Sequence, residues 1–371
     1  MISIQPSFDP TPETFGISAF SISQPSDSVF FFSAVQQAYR QAEKTACLVS
    51  ERDFLIHGHR LRIRFAGSAL LEPCTMALEH LAVEAGDAIP ELTICAWDSA
   101  STGVLLPPCP WTLEQIATDG MIKGPANDSI QAALQIDIAA LSLFDPHQRL
   151  ALFRVANAST LPAVERASPL KVILHWWLRG FAMTMIHCGA VGTALGGALL
   201  VGHTGTGKST STLACLSAGM RYVTDDRCLL SLTPEPRALC IYNAAKLWPD
   251  QMRRFPLLME AARNHSKLER EKSLLFVQRF SPEQLAMQLP IRVVLLARIV
   301  NQPKTTLTST TPIRVLHDLV PSTLIYQPGA TRDETRAMAE LVRQVPCRQI
   351  NLGSELSRIP EVIAQAIEAP S

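Results

Sequence analysis

Strict alternation of apolar and polar residues marks the first half of the chain. In Asp53 to Phe65 (DFLIHGHRLRIRF), Leu61, Ile63 and Phe65 fall on one face and Arg60, Arg62 and Arg64 on the other, the period of a half-buried strand. His57-Gly58-His59 sits at the expected turn; with no third ligand nearby in sequence, it reads as a solvated turn and not a metal site. The arginine row reads as the wet side of a sheet, with an anion-binding face as the alternative. Met76 to Ala85 predicts a helix and Glu91 to Ala96 a strand. Ile130 to Leu143 and Arg149 to Val155 are expected to pair across the turn-forming Asp145-Pro146-His147-Gln148.

Further on, the period changes to that of helices. Ser168-Pro169 predicts a helix start, with Ser168 as N-cap and Leu170, Ile173, Leu174, Trp177, Leu178 and Phe181 as one apolar stripe. The Trp176-Trp177 pair is expected in the core. Ile291 to Val300 predicts a buried strand, Thr331 to Val345 an amphipathic helix, Cys347 to Leu352 a strand and Ser354 to Glu368 a closing helix. Strands alternating with helices argue for an α/β domain. The expected organisation is a strand-rich α+β domain over residues 1–160 followed by an α/β domain over residues 166–371, with the boundary in the weakly patterned 156–167.

The run from Val172 to Val201 is apolar enough to suggest a membrane span. It is interrupted by His175, Arg179 and His187 and cut by Gly189, Gly192, Gly196 and Gly197, so a buried core is expected and no membrane span. The start, MISIQPSFDPTPETF, lacks a basic region followed by an apolar one, and no signal peptide is expected. The chain has 371 residues, 47% hydrophobic and 18% charged, which excludes a disordered protein. Lys+Arg 33 balance Asp+Glu 33, so no nucleic-acid partner is expected. The nine cysteines are scattered without a C-x-x-C, which favours reduced thiols and a cytoplasmic location.

The chemistry concentrates after the apolar run. Gly202-His203-Thr204-Gly205-Thr206-Gly207-Lys208-Ser209 fits G-x-x-x-x-G-K-[ST] without a mismatch, preceded by the apolar strand Ala198 to Val201 and followed by the helical Ser209 to Ser217. That order points backbone N–H groups and the positive end of a helix at phosphate oxygens. Gly202 to Ser209, together with Thr210, are the candidate nucleotide-binding residues. Lys208 would reach the β- and γ-phosphates, and the Ser209 hydroxyl would hold Mg²⁺.

Gly219 stops the helix, and Arg221 to Thr224 gives a short strand ending in Asp225-Asp226, whose first acid stands 17 residues past Lys208. A helix over 208–218 rises roughly 16 Å, which the returning strand matches. A right-handed β–α–β unit therefore returns both acids to the edge that holds the phosphates. Carboxylates there bind Mg²⁺ or accept a proton from an attacking hydroxyl.

From His187 to Asp226 the sequence resembles the HPr kinase/phosphorylase family, with phosphoenolpyruvate carboxykinases more distant. The matching order is His187-Cys188-Gly189, the Gly196-Gly197 turn, the strand Ala198 to Val201, the loop Gly202 to Ser209, and Asp225-Asp226, with His187 standing 15 residues before Gly202. A looser resemblance, in LHWWLRG, IHCGAVG, YNAAKL and EKSLL, is to HPr-kinase-like proteins associated with modified and lasso peptides, some of which phosphorylate a precursor-peptide serine. The resemblance implies a P-loop kinase domain using ATP and Mg²⁺. It implies Asp225 as general base, Asp226 as metal ligand and His187 near the phosphates. A buried strand histidine is the competing reading of His187. Lys246, or the segment Lys267 to Lys272 (KLEREK), would complete the pocket. The family's later signature loop is not recognised, so neither phosphorolysis nor HPr as acceptor is implied.

The reading favoured by these residues is a serine or threonine kinase acting on a protein or peptide. A nucleotide-binding switch without transfer, and a small-molecule kinase acting on free serine, are the alternatives. A homo-oligomer is compatible with the sequence.

Overall fold

The structure is a computed structural model that describes residues 27–46, 48–122, 129–264, 271–325 and 327–369. The amino-terminal stretch of the sequence, Cys47 and residues 267–270 of KLEREK lie outside the described residues. The fold is mixed α/β, with two large mixed sheets among the described residues. Two compact units emerge, and the division is not a single cut. One comprises the described residues of Met1–Thr75, Leu81–Leu161 and Leu170–Trp177; the other comprises Met76–His80, Pro162–Pro169 and Leu178–Ser371.

The first unit opens with α1 (Asp27–Ala46), a helix the sequence reading did not anticipate. Phe31, Val35, Tyr39 and Ala42 recur at helical spacing and pack with Trp97, Leu141, Leu143 and Leu152. Its sheet runs β3 (Ala82–Val83), β1 (Val49–Ile56), β2 (His59–Ala66), β4 (Leu92–Asp98), β7 (Leu150–Val155), β6 (Ala140–Asp145) and β5 (Gln131–Gln135). Leu61, Ile63 and Phe65 are fully buried, as the alternation requires. Ile56 pairs with His59, so His57-Gly58 is a two-residue hairpin turn with both φ values positive.

Two expectations fail locally. Met76 to Ala85 is a 3-10 turn over Met76–Leu81 followed by the short β3, not a regular helix. Ile130 to Leu143 is not one strand: a 3-10 turn over Ile136–Ile138, with Ala139 at φ 48°, folds it back as the antiparallel pair β5 and β6, and β6 then pairs with β7.

The arginine row proves to be neutralised from within. Arg62 Nε and Arg60 Nη1 donate to the fully buried Asp53 carboxylate at 2.8 and 3.0 Å, and Arg64 reaches Glu43 at 3.1 Å. The hydrogen bond from Arg62, chiefly, holds the Asp53 carboxyl below the ordinary carboxylate range, against the upward push of burial. That depression stabilises the folded state above the unfolded carboxyl's pKa of about 4 and is lost as pH falls through the folded value. Asp53→Asn is therefore expected to cost about 2 kcal/mol at neutral pH. In urea titrations the difference from wild type should shrink steadily as pH is lowered to about 3. A difference that persists undiminished would mean that shape, not charge, holds this corner.

Helix α2 (Lys171–Arg179), which belongs to the first unit as far as Trp177, begins later than expected, because Leu170 takes a positive φ of 55°. Ser168 is therefore not its N-cap. Trp176 and Trp177 are buried. The main sheet of the second unit runs β11 (Arg221–Thr224), β9 (Gly189–Thr193), β10 (Gly196–Val201), β16 (Gln288–Ile299), β13 (Arg237–Leu239), β12 (Arg227–Ser231) and β8 (Thr184–His187). β17 (Thr306–Ser309) and β18 (Cys347–Leu352) extend it through β16, and β14 (Ala244–Leu247) pairs with β15 (Ser273–Phe276) as a separate ribbon.

The sheet is buried on both faces, which explains the unbroken apolar run of β10. Ala198 and Leu200 pack with Leu213 of α3 (Lys208–Ser217) and Ile363 of α6 (Arg358–Glu368). Leu199 and Val201 pack with Leu319 of α4 (Pro312–Leu324) and with Met338 and Leu341 of α5 (Arg332–Gln344). Helix α5 starts in a capping box, Thr331 with Glu334. Among the described residues every cysteine is free, and no helix is long and apolar enough to cross a membrane.

Candidate functional site

Strand polarity decides what meets at the sheet edge. β9 runs antiparallel to both β10 and β11, so β10 and β11 are parallel to each other with β9 between them. The carboxyl ends of β10 and β11 thus lie on the same edge. Gly189 pairs with Leu200, which brings the preceding His187-Cys188 to that edge as well.

The chain leaves β10 at Gly202 and enters α3 at Lys208. Gly202 has φ 148°, and a Cβ there would stand 2.7 Å from Thr206 Oγ1. Gly207 has φ 94°, and a Cβ there would stand 2.7 Å from Leu352 Cδ1. Only glycine fits either position. The Lys208 side chain is buried, and its Nζ donates to the carbonyls of Gly202 at 2.6 Å and His203 at 3.0 Å. Burial lowers its proton affinity, and the charges of Asp226 and Asp225 oppose that shift. Both acids therefore act on the lysine of the glycine loop.

The two acids occupy different environments. Asp225 is buried: Tyr222 Oη donates to Oδ1 at 3.4 Å and the Lys246 backbone N–H to Oδ2 at 3.1 Å. Burial, reinforced by the charge of Asp226, raises its pKa despite Lys246. Asp226 keeps 26% of its side chain open. Lys246 Nζ bonds its Oδ2 at 2.8 Å, Ser168 Oγ lies 3.5 Å and Arg227 Nε 3.7 Å from the same oxygen, and His187 Nε2 lies 3.4 Å from Oδ1. Burial pushes the Asp226 carboxyl up, but Lys246, chiefly, and Arg227 outweigh it and hold it well below the ordinary range.

His187 is clamped from behind. The Thr323 hydroxyl accepts its backbone N–H at 3.1 Å, and the Ser322 carbonyl accepts from Nδ1 at 3.0 Å. Burial lowers its pKa to about 4, against the pull of Asp226, so the imidazole is neutral near pH 7. With the proton on Nδ1, the Nε2 lone pair faces Asp226 Oδ1.

The structure thus brings together Lys208, Asp226, His187 and Lys246, four of the residues picked out by sequence. It sets Asp225 behind them. His203 is turned to α4, where its Nε2 lies 3.2 Å from Asp318 Oδ1. Arg227 and Ser168 join the site unforeseen; Arg227 carried a signal in directly following the paired acids. Of KLEREK, Glu271 accepts from the Ala163 N–H and from Asn264, so it serves local structure.

No protein-family model matches this chain, and no curated protein matches it. Among solved structures, the HPr(Ser) kinase/phosphatase from Coxiella burnetii is similar over 50% of this chain and 94% of its own, at 12% identity and a TM-score of 0.28. At that score the likeness is too loose to assign a fold or an activity.

Proposed function

We propose that the chain is an ATP- and Mg²⁺-dependent, HPr-kinase-like phosphotransferase that acts on a serine or threonine hydroxyl of a protein or peptide. The observation that carries this reading is the convergence of a glycine-cradled lysine, an ionised carboxylate and a neutral imidazole on one sheet edge. The reading is supported by the loop's order, in which positive-φ glycines at Gly202 and Gly207 let the backbone bend between β10 and the start of α3, as an anion-binding loop requires. Ser209 and Asp226 offer the hard oxygen ligands that Mg²⁺ takes. Mg²⁺, when bound, would neutralise charge on the β- and γ-phosphoryl oxygens.

The chain's own residues do the rest. Lys208 Nζ exchanges the Gly202 and His203 carbonyls for phosphoryl oxygens and draws off charge as the acceptor oxygen–phosphorus bond forms and the bond to the ADP leaving group breaks. The acceptor hydroxyl would approach Asp226 Oδ1 from its open side, beside His187 Nε2, and transfer its proton to that carboxylate oxygen as the bond to phosphorus forms. The resemblance implies Asp225 as base; burial and two hydrogen-bond partners suit Asp225 better to positioning Tyr222 and the Lys246 backbone. Lys246 keeps Asp226 ionised.

Incubation with γ-labelled ATP and candidate acceptors tests the reading. Label on a seryl or threonyl side chain is expected. Label that stays on ATP despite tight binding would favour a switch, and label on free serine a small-molecule kinase. Lys246→Met is expected to move the acid limb of the activity profile to higher pH, because Asp226 then protonates sooner. An unmoved limb would detach Lys246 from the reacting carboxylate.

A further inference from the structure

A second cluster of ligand-bearing side chains stands beside the phosphate loop. His203, His317 and Asp318 bring one ligand atom each to within 4.8 Å of one another. His203 Nε2 lies 3.2 Å and His317 Nδ1 3.6 Å from Asp318 Oδ1. Ligands about 2.0–2.1 Å from a tetrahedral zinc ion stand about 3.3–3.5 Å apart, so both imidazole–carboxylate separations are close to what such an ion needs.

The surroundings are those of a supported ligand set. Arg298 Nη1 donates to Asp318 Oδ2 at 2.7 Å and to the Ala297 carbonyl at 3.0 Å. One carboxylate oxygen is thereby fixed from outside while the other is turned to the two imidazoles, as outer-shell partners of metal ligands do. Asp318 is buried, whereas the His203 and His317 side chains are 52% and 84% exposed, so the remaining coordination positions face water.

We propose that His203 Nε2, His317 Nδ1 and Asp318 Oδ1 form a site for a divalent ion of the zinc class, which ties the phosphate loop to α4. Two imidazole nitrogens and one carboxylate oxygen suit Zn²⁺, Co²⁺ or Ni²⁺; Mg²⁺ prefers oxygen throughout. The site is chemically distinct from the Ser209 and Asp226 oxygens. It bears on the loop because the His203 carbonyl accepts from both Lys208 Nζ at 3.0 Å and Thr206 Oγ1 at 2.9 Å. An ion holding the His203 ring holds the peptide on which the lysine rests.

The test is a Co²⁺ titration of the full chain, stripped with chelator and kept in excess Mg²⁺, read by visible d–d absorption and equilibrium dialysis. One ion per chain is expected, displaced by Zn²⁺. His317→Ala, at an exposed position, should weaken binding on the order of 100-fold with an unchanged circular dichroism spectrum. Arg298→Ala should weaken it by about tenfold. Absence of binding in the wild type, or equal affinity in His317→Ala, would overturn the proposal. No transfer reaction enters the measurement, so its outcome stands apart from the kinase reading.

Discussion

Lys208→Ala is expected to lower phosphoryl transfer about 10³-fold, the scale of losing one preorganised donor at the site of developing charge. The lysine is buried, its side-chain nitrogen rests on the Gly202 and His203 carbonyls, and the charges of two aspartates oppose the lowering of its proton affinity by burial. Those carbonyl bonds hold the ammonium at the loop. Lys208→Arg should fail nearly as badly, since a planar guanidinium cannot occupy the space of a compact ammonium at the start of α3. Single-turnover measurements with labelled ATP at saturation separate the chemical loss from weakened binding. Transfer by Lys208→Ala at the wild-type rate, with the fold intact, would remove the loop from the reaction.

The parts of this site that were legible in the sequence are contiguous ones. A strand, a glycine loop and a helix follow one another within Gly196–Ser217, so local pattern suffices, and the return of β11 to the same edge follows from helix length. Lys246 was legible only as a candidate, because nothing local states that β14 passes beside Asp226. Ser168 was misread as a helix cap because Leu170 takes a positive φ, which its residue type does not announce. His203 was legible as a loop residue, but its partner Asp318 lies on a helix more than a hundred residues later. In the first unit, the alternation of β2 was plain, whereas the β5–β6 reversal turns on Ala139, which carries no turn chemistry.

The paired acids show the same limit most sharply. Strict alternation along β11 would place neighbours on opposite faces, but the pairing of β11 with β9 shifts register between Tyr222 and Thr224. Such an irregularity re-aims the side chains that follow, so sequence alone does not say which acid faces the phosphate loop.

Substitution of each acid in turn resolves them. Asp226→Asn is expected to lower kcat about 10³-fold at saturating ATP and Mg²⁺, a loss in the chemical step that exceeds its cost in stability. It removes the charge opposite Lys246 and the oxygen opposite His187, yet its side chain is partly open and an amide fits the same space. Asp225→Asn should behave in the opposite way. An amide can accept from either Tyr222 or the Lys246 N–H but leaves its own N–H₂ group facing a donor, so about 1–3 kcal/mol of stability is expected to be lost. Its kcat should fall by less than about tenfold, through displacement of Lys246. If Asp225→Asn instead abolishes transfer in a fully stable protein while Asp226→Asn retains it, the buried acid is the base. The acceptor would then have to reach it by a movement of Tyr222.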